Sequence, residues 1–139
     1  MNIIKKITVS APAKLIITGE HAVVYNEPAI VMAINKRVKV QISHRTSNEI
    51  YIFSDVFNSP LIINPNELLS INLSGPYAYI IHILKLVFSN IDEKPSPLNI
   101  NITSNIPIGA GLGSSAALAG SLIFGLLNYL NYEVAVSYT

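Results

Sequence analysis

Pro107-Ile108-Gly109-Ala110-Gly111-Leu112-Gly113-Ser114-Ser115-Ala116-Ala117 is the stretch on which the reading of this chain turns. Glycines at alternate positions strip side chains from the loop, so backbone N–H groups can approach a ligand closely. The apolar run Ser114–Leu130 that follows predicts a helix, whose first N–H groups have no partner inside it. A helix N-terminus also carries partial positive charge, so loop and helix together suit a phosphate without any basic side chain. Ser114 is placed to cap the helix, and the Ser115 hydroxyl to reach a phosphate oxygen or a metal ion. Two other glycine loops are excluded. A P-loop needs Lys-Ser/Thr behind its last glycine, and Ser-Ser stands there; the dinucleotide fingerprint needs GxGxxG directly after a strand, whereas this is GxGxG. A plain structural turn is the remaining alternative.

Working outward, Leu98–Thr103 alternates with Leu98, Ile100 and Ile102 on one face and reads as a strand. Pro76–Asn90 carries Tyr79, Ile80, Ile83, Leu84 and Val87 at helical spacing, which predicts an amphipathic helix with those residues as its apolar stripe. Residues 55–74, rich in Asn, Ser and Pro, read as irregular, and Asp92–Pro97 as a loop. Lys36–Ser43 alternates as a half-exposed strand does, with Glu49–Ser54 as its hairpin partner across His44–Asn48. Lys5–Ser10 and Leu15–Thr18 read as separate short strands, because Pro12 forbids one continuous central strand. Gly19-Glu20-His21 and Asn26-Glu27-Pro28 are turns bounding the apolar runs Ala22–Tyr25 and Ala29–Ile34. The element order is that of an α+β fold, a two-layer sandwich of a mixed or antiparallel sheet against helices.

The 139 residues suit one domain. Only 12% are charged and 50% hydrophobic, against roughly 25% charged in ordinary domains. The shortage of polar surface implies a piece that packs against further chain. A net charge of +1 leaves no nucleic-acid footprint, although residues 1–45 hold seven of the nine Lys/Arg against Glu20 and Glu27. Such a basic first third suits an anionic ligand, or is ordinary alternation on solvated strands. The lack of cysteine excludes disulfides and thiolate chemistry. MNIIKKITVSAPAK has no apolar signal core, so the expected location is cytoplasmic. Ile106–Leu130 carries no charge, yet Pro107, the glycines and Ser114, Ser115 and Ser121 argue for a buried core helix and not a membrane span.

The second unusual segment is Ala11-Pro12-Ala13-Lys14-Leu15-Ile16-Ile17-Thr18-Gly19-Glu20-His21-Ala22-Val23-Val24-Tyr25. Alone, Lys14 is as readily an edge-strand lysine, His21 a satisfied loop histidine and Glu20 a turn carboxylate. Beside an anion loop, Lys14 gains a role in balancing phosphate charge or lowering the pKa of a hydroxyl.

Together the two segments resemble the GHMP kinases, the family of galactokinase, homoserine kinase, mevalonate kinase and phosphomevalonate kinase. Pro107–Ala116 matches the family's second motif, P-x-G-x-G-L-G-S-S-A, in full, and the Ala11–Tyr25 segment is most similar to the mevalonate kinase branch. The resemblance implies ATP-dependent, Mg²⁺-assisted phosphorylation of the primary hydroxyl of mevalonate to 5-phosphomevalonate, in isoprenoid precursor synthesis. By match of motif, residues 107–117 would wrap the ATP phosphates, Ser115 would ligand Mg²⁺ and Ser104 would contact the nucleotide. Lys14 would act catalytically at the transferring phosphate, and Glu20 and His21 would face mevalonate. No nucleic-acid or membrane partner is implied, and the complete enzyme is compatible with a homodimer.

The alternatives are another GHMP acceptor, or a nucleotide-binding module without catalysis. Asn26 stands where relatives often have Gly, and Asn tolerates positive φ. Ile108 stands where eukaryotic members often have Pro. The family's Pro-Ser-Gly-x-Asp segment, its acidic Mg²⁺ ligand and its C-terminal glycine motif are not in the sequence, and Asp55 and Asp92 lie in the wrong contexts to replace them. Residues 1–139 are therefore expected to be an N-terminal ATP-binding portion, inactive without a C-terminal domain. Val136-Ser137-Tyr138-Thr139 reads either as adapter sequence closing a truncated gene or as the start of a next element.

Overall fold

The computed structural model describes residues 5–134, so the reading of the closing tetrapeptide lies outside the described residues. Five strands, β1 (Lys6–Thr18), β2 (Ile30–His44), β3 (Ile50–Ser54), β4 (Leu61–Ile63) and β5 (Leu98–Ser104), form one sheet in the order β1-β2-β5-β3-β4. β3 and β5 are parallel and the other pairs antiparallel. Helices α1 (Ala78–Ser89) and α2 (Ser114–Tyr129) pack side by side, with α2 lying on β1 and β2. The α+β sandwich expected from the element order is the observed architecture. Among the described residues no helix is long and apolar enough to cross a membrane.

Three local expectations are corrected. First, β1 is one continuous strand through Pro12. It lies at the sheet edge, where a missing N–H costs least, and its register with β2 shifts between Pro12 and Ala13. Second, β3 is not the hairpin partner of β2, because β5 lies between them. β5 presents Leu98, Ile100 and Ile102, all at most 3% exposed, and such a face is best buried in the sheet centre. Arg45, in the connection between β2 and β3, spans the inserted strand. Its guanidinium donates to Asn99 Oδ1 of β5 at 2.8 Å, pairs with Glu49 at 3.1 Å and lies 4.8 Å from the Tyr51 ring centroid. Third, residues 55–74 contain β4 and a short 3-10 turn, Pro65–Glu67, capped by the Asn64 side chain accepting from the Asn66 N–H at 3.0 Å.

The helices also differ in detail from their patterns. α1 buries Ile80, Ile81, Ile83, Leu84, Val87 and Phe88, so its apolar stripe is turned away from Tyr79, which is 43% exposed. α2 is covered on one side only, through Ala117, Ser121, Leu122, Gly125 and Leu126, while Phe124 faces out. A Cβ on Gly125 would stand 3.2 Å from Ile42 Cδ1, so glycine there lets the helix sit close to β2. Ser121, buried in this contact, donates its hydroxyl to the Ala117 carbonyl at 2.7 Å and leaves no unmet donor. Because Ile100 is fully enclosed between β2 and β3, Ile100→Ala is expected to destabilise by about 2–5 kcal/mol in urea unfolding. A change under about 0.5 kcal/mol would show that the sheet centre is elsewhere.

Candidate phosphate-binding site

β5 ends at Ser104 and hands the chain to the glycine loop, which runs into α2. Gly109, Gly111 and Gly113 have φ of 72°, 67° and 73°, a region that side chains with a Cβ enter only with strain. A Cβ on Gly109 or Gly111 would meet no atom within 4 Å, so the space above both is open. Among the described residues, no hydrogen bond within the protein engages the N–H groups of Gly109, Gly111, Leu112, Gly113, Ser114, Ser115 or Ala116. The first internal bond of the helix is Ala117 N–H to the Gly113 carbonyl at 3.0 Å. Unsatisfied amides at a helix N-terminus are what an anion cradle requires. The cap residue is Gly113, with no side-chain cap bond, and not Ser114. Left-handed glycine turns the chain into the helix unaided, which leaves the Ser114 and Ser115 side chains exposed at its mouth.

Lys14 lies against this loop. Its N–H donates to the Leu112 carbonyl at 2.9 Å. Its side chain runs along Gly113 so closely that a Cβ there would stand 2.9 Å from Cγ and 3.2 Å from Cε. The edge-strand reading of Lys14 holds too, since β1 is the edge. The backbone shift at Pro12/Ala13 precedes the lysine directly.

Glu20 and His21 sit exposed in the turn after β1, ahead of a 3-10 turn over Ala22–Tyr25. The turn is tight. A Cβ on Gly19 (φ 87°) would fall 2.5 Å from the Pro28 carbonyl oxygen, and Asn26 adopts φ 64° as expected of its position. Among the described residues neither the Glu20 nor the His21 side chain makes a hydrogen bond or ion pair, and none ties them to the loop.

Between the glycine loop and the sheet lies a cavity of about 190 Å³, walled mainly by apolar side chains such as Phe57, Ile80 and Ile108, with Ser104 and Ser115 at its rim. Ser104 lines it, and its hydroxyl accepts the Ile106 N–H at 3.2 Å and shapes the loop entrance. Three contacts escaped the sequence reading. Asp55 accepts the Ser104 N–H on both carboxylate oxygens, at 3.2 and 3.1 Å. Tyr79 donates its hydroxyl to the Ser115 carbonyl at 3.1 Å. Tyr77 donates to the Ser59 carbonyl at 2.8 Å and stacks edge-on against Phe57 at 4.7 Å. The signal for Asp55 was its place directly after a strand end; Tyr79 was hidden by its fit to the apolar stripe. Among the described residues no cluster of three or more His, Cys, Asp or Glu could hold a metal ion.

Residues 78–137, which include α1, β5, the glycine loop and α2, match the family model for the N terminal domain of GHMP kinases. The chain is 37% identical over 133 residues to the mevalonate kinase of Pyrococcus abyssi, covering 91% of this chain and 39% of the relative. It is 43% identical over 124 residues to that of Methanothermobacter thermautotrophicus, covering 89% and 37%. The crystal structure of the Methanococcus jannaschii mevalonate kinase superposes with a TM-score of 0.86 at 34% identity, over 94% of this chain and 42% of that one. The chain thus spans about two fifths of the length of the curated relatives it matches. Motif, fold and relatives agree from β1 through α2: residues 78–137 match the N terminal domain of GHMP kinases, and most of the chain is similar to mevalonate kinases.

Proposed function

We propose that this chain is the nucleotide-binding N-terminal portion of an ATP-dependent mevalonate kinase of the cytoplasm, completed by a C-terminal domain. One observation carries the proposal: the loop amides from Gly109 to Ala116 are largely uncommitted while Lys14 lies along Gly113. The amides hold the phosphates of ATP, and the apolar cavity beside them takes the nucleoside end. The Ser115 hydroxyl supplies one oxygen toward Mg²⁺, an ion that keeps several waters and leans on substrate phosphates. Lys14 places its charge beside the transferring phosphate, and Glu20 and His21 face mevalonate. Phosphoryl transfer of this kind is mainly positioning and charge stabilisation. The names of the relatives support mevalonate as the acceptor.

The second half of β1, the 3-10 turn and the start of β2 form an arm whose Leu15, Ile17, Val24, Tyr25, Ile30 and Met32 are between 42% and 80% exposed. An apolar patch of this kind is what a covering domain buries, and it accounts for the low charge content of the sequence. The 139-residue chain alone is accordingly expected to transfer no phosphate to mevalonate; steady turnover by the purified chain would overturn the domain assignment. Fused to the C-terminal portion of the Methanothermobacter relative, it is expected to phosphorylate mevalonate. Ser115→Ala in that fusion should weaken Mg·ATP binding by roughly tenfold, as for a lost hydrogen bond to a charged group. An unchanged affinity would remove Ser115 from the site.

A further inference from the structure

The start of α2 is held by a side chain of the other helix. Tyr79, in the first turn of α1, sends its hydroxyl to the carbonyl of Ser115, one residue inside the helix whose free amides form the cradle. Its neighbours show that this is part of a brace. Two residues earlier, Tyr77 bonds the Ser59 carbonyl and packs on Phe57, and one residue later Ile80 enters the cavity. One turn of α1 therefore grips both the far wall of the cavity, through Phe57, and the mouth of the glycine loop, through Ser115. Tyr79 itself lies off the buried stripe and is 43% exposed.

We infer that Tyr79 is a positioning residue for the phosphate cradle, fixing the Ser115 backbone and with it the amides and hydroxyl at the helix mouth. This inference rests on the nucleotide reading above. It extends that reading to a residue that touches no ligand. A carbonyl in the first turn already accepts from the helix N–H four residues on, and a second donor from another element removes its remaining freedom to tilt. The helix then meets a ligand with its donors set, so less ordering is lost on binding.

The test uses Tyr79→Phe, which keeps the ring and removes the hydroxyl. In Mg·ATP titration of the 139-residue chain, this variant should bind roughly 3- to 10-fold more weakly, with its melting temperature unmoved because the ring stays in place. Paired with Ser115→Ala, its effect should shrink, a non-additivity expected when two changes act through one group. Hydrogen exchange of the amides at residues 117–119 should be faster in Tyr79→Phe than in the wild type. Wild-type affinity and exchange in Tyr79→Phe, or additive effects with Ser115→Ala, would overturn the inference. If the wild-type chain fails to bind Mg·ATP while exchange still quickens in Tyr79→Phe, the brace stands and the nucleotide reading of this chain falls.

Discussion

Gly113→Ala is expected to destabilise the chain by about 2–5 kcal/mol, well beyond Gly109→Ala or Gly111→Ala, and to abolish measurable nucleotide binding. The three glycines share nearly the same backbone conformation, with φ between 67° and 73°. Placing an L-residue there costs about 1–2 kcal/mol in each case. The surroundings separate them. At Gly109 and Gly111 the new methyl enters open space, whereas at Gly113 it meets Lys14 Cγ at 2.9 Å. Cγ is near the root of the lysine side chain, so clearing it takes a change of χ1 rotamer that carries the whole side chain off the loop. The strand that carries Lys14 is tied to the loop by the Lys14 N–H on the Leu112 carbonyl at 2.9 Å. Overpacking of this kind adds about 1–3 kcal/mol. Urea unfolding of the three variants checks the order. Equal losses at all three would mean that Lys14 does not pack on the loop. Nucleotide titration is the second readout, and there all three should lose affinity, since a methyl at 109 or 111 occupies the space above the free amides.

The same loop shows what a sequence can and cannot reveal about a site. The cradle was legible because its chemistry is backbone chemistry: alternate glycines and a following helix specify where unpaired N–H groups must be. Asn26 was legible for a similar reason, since few residues tolerate the left-handed turn it makes at φ 64°. The strand order was not. Pairing between neighbours in sequence is the cheaper guess, and only the burial of β5 on both edges, with Arg45 bridging to Asn99, explains why β3 lies beyond it. Pro12 misled by its general rule, which bars a central strand and permits an edge. Tyr79 misled by periodicity. An aromatic at helical spacing looks like core, and its hydroxyl's partner lies 36 residues along the chain on another helix. Ser114 looked like a cap because the sequence cannot show that Gly113 already turns the chain.

Lys14→Ala in the fused enzyme is expected to lower kcat by about 10²–10³-fold, the range for removing one donor aimed at developing charge, while ATP affinity falls far less. The reason lies in how the lysine is held. Its main chain, not its side chain, bonds the loop, through the N–H on the Leu112 carbonyl. Truncation therefore leaves that anchor in place, along with the left-handed glycines and the free amides of α2. What disappears is one charge, at the end of a side chain that runs along Gly113. A charge that matters most when the phosphoryl group is in flight acts on the transition state more than on the bound nucleotide, and such interactions appear in kcat. Lys14→Arg restores the charge with a larger, planar head, so it should recover part of the rate and locate the need as charge rather than bulk. Steady-state kinetics with ATP and mevalonate varied separately gives the split. If KM for ATP rises with kcat intact, Lys14 belongs to ground-state phosphate binding. If both constants hold, the lysine is only what an edge strand would carry, and the transfer chemistry must be sought in residues that approach the loop from elsewhere.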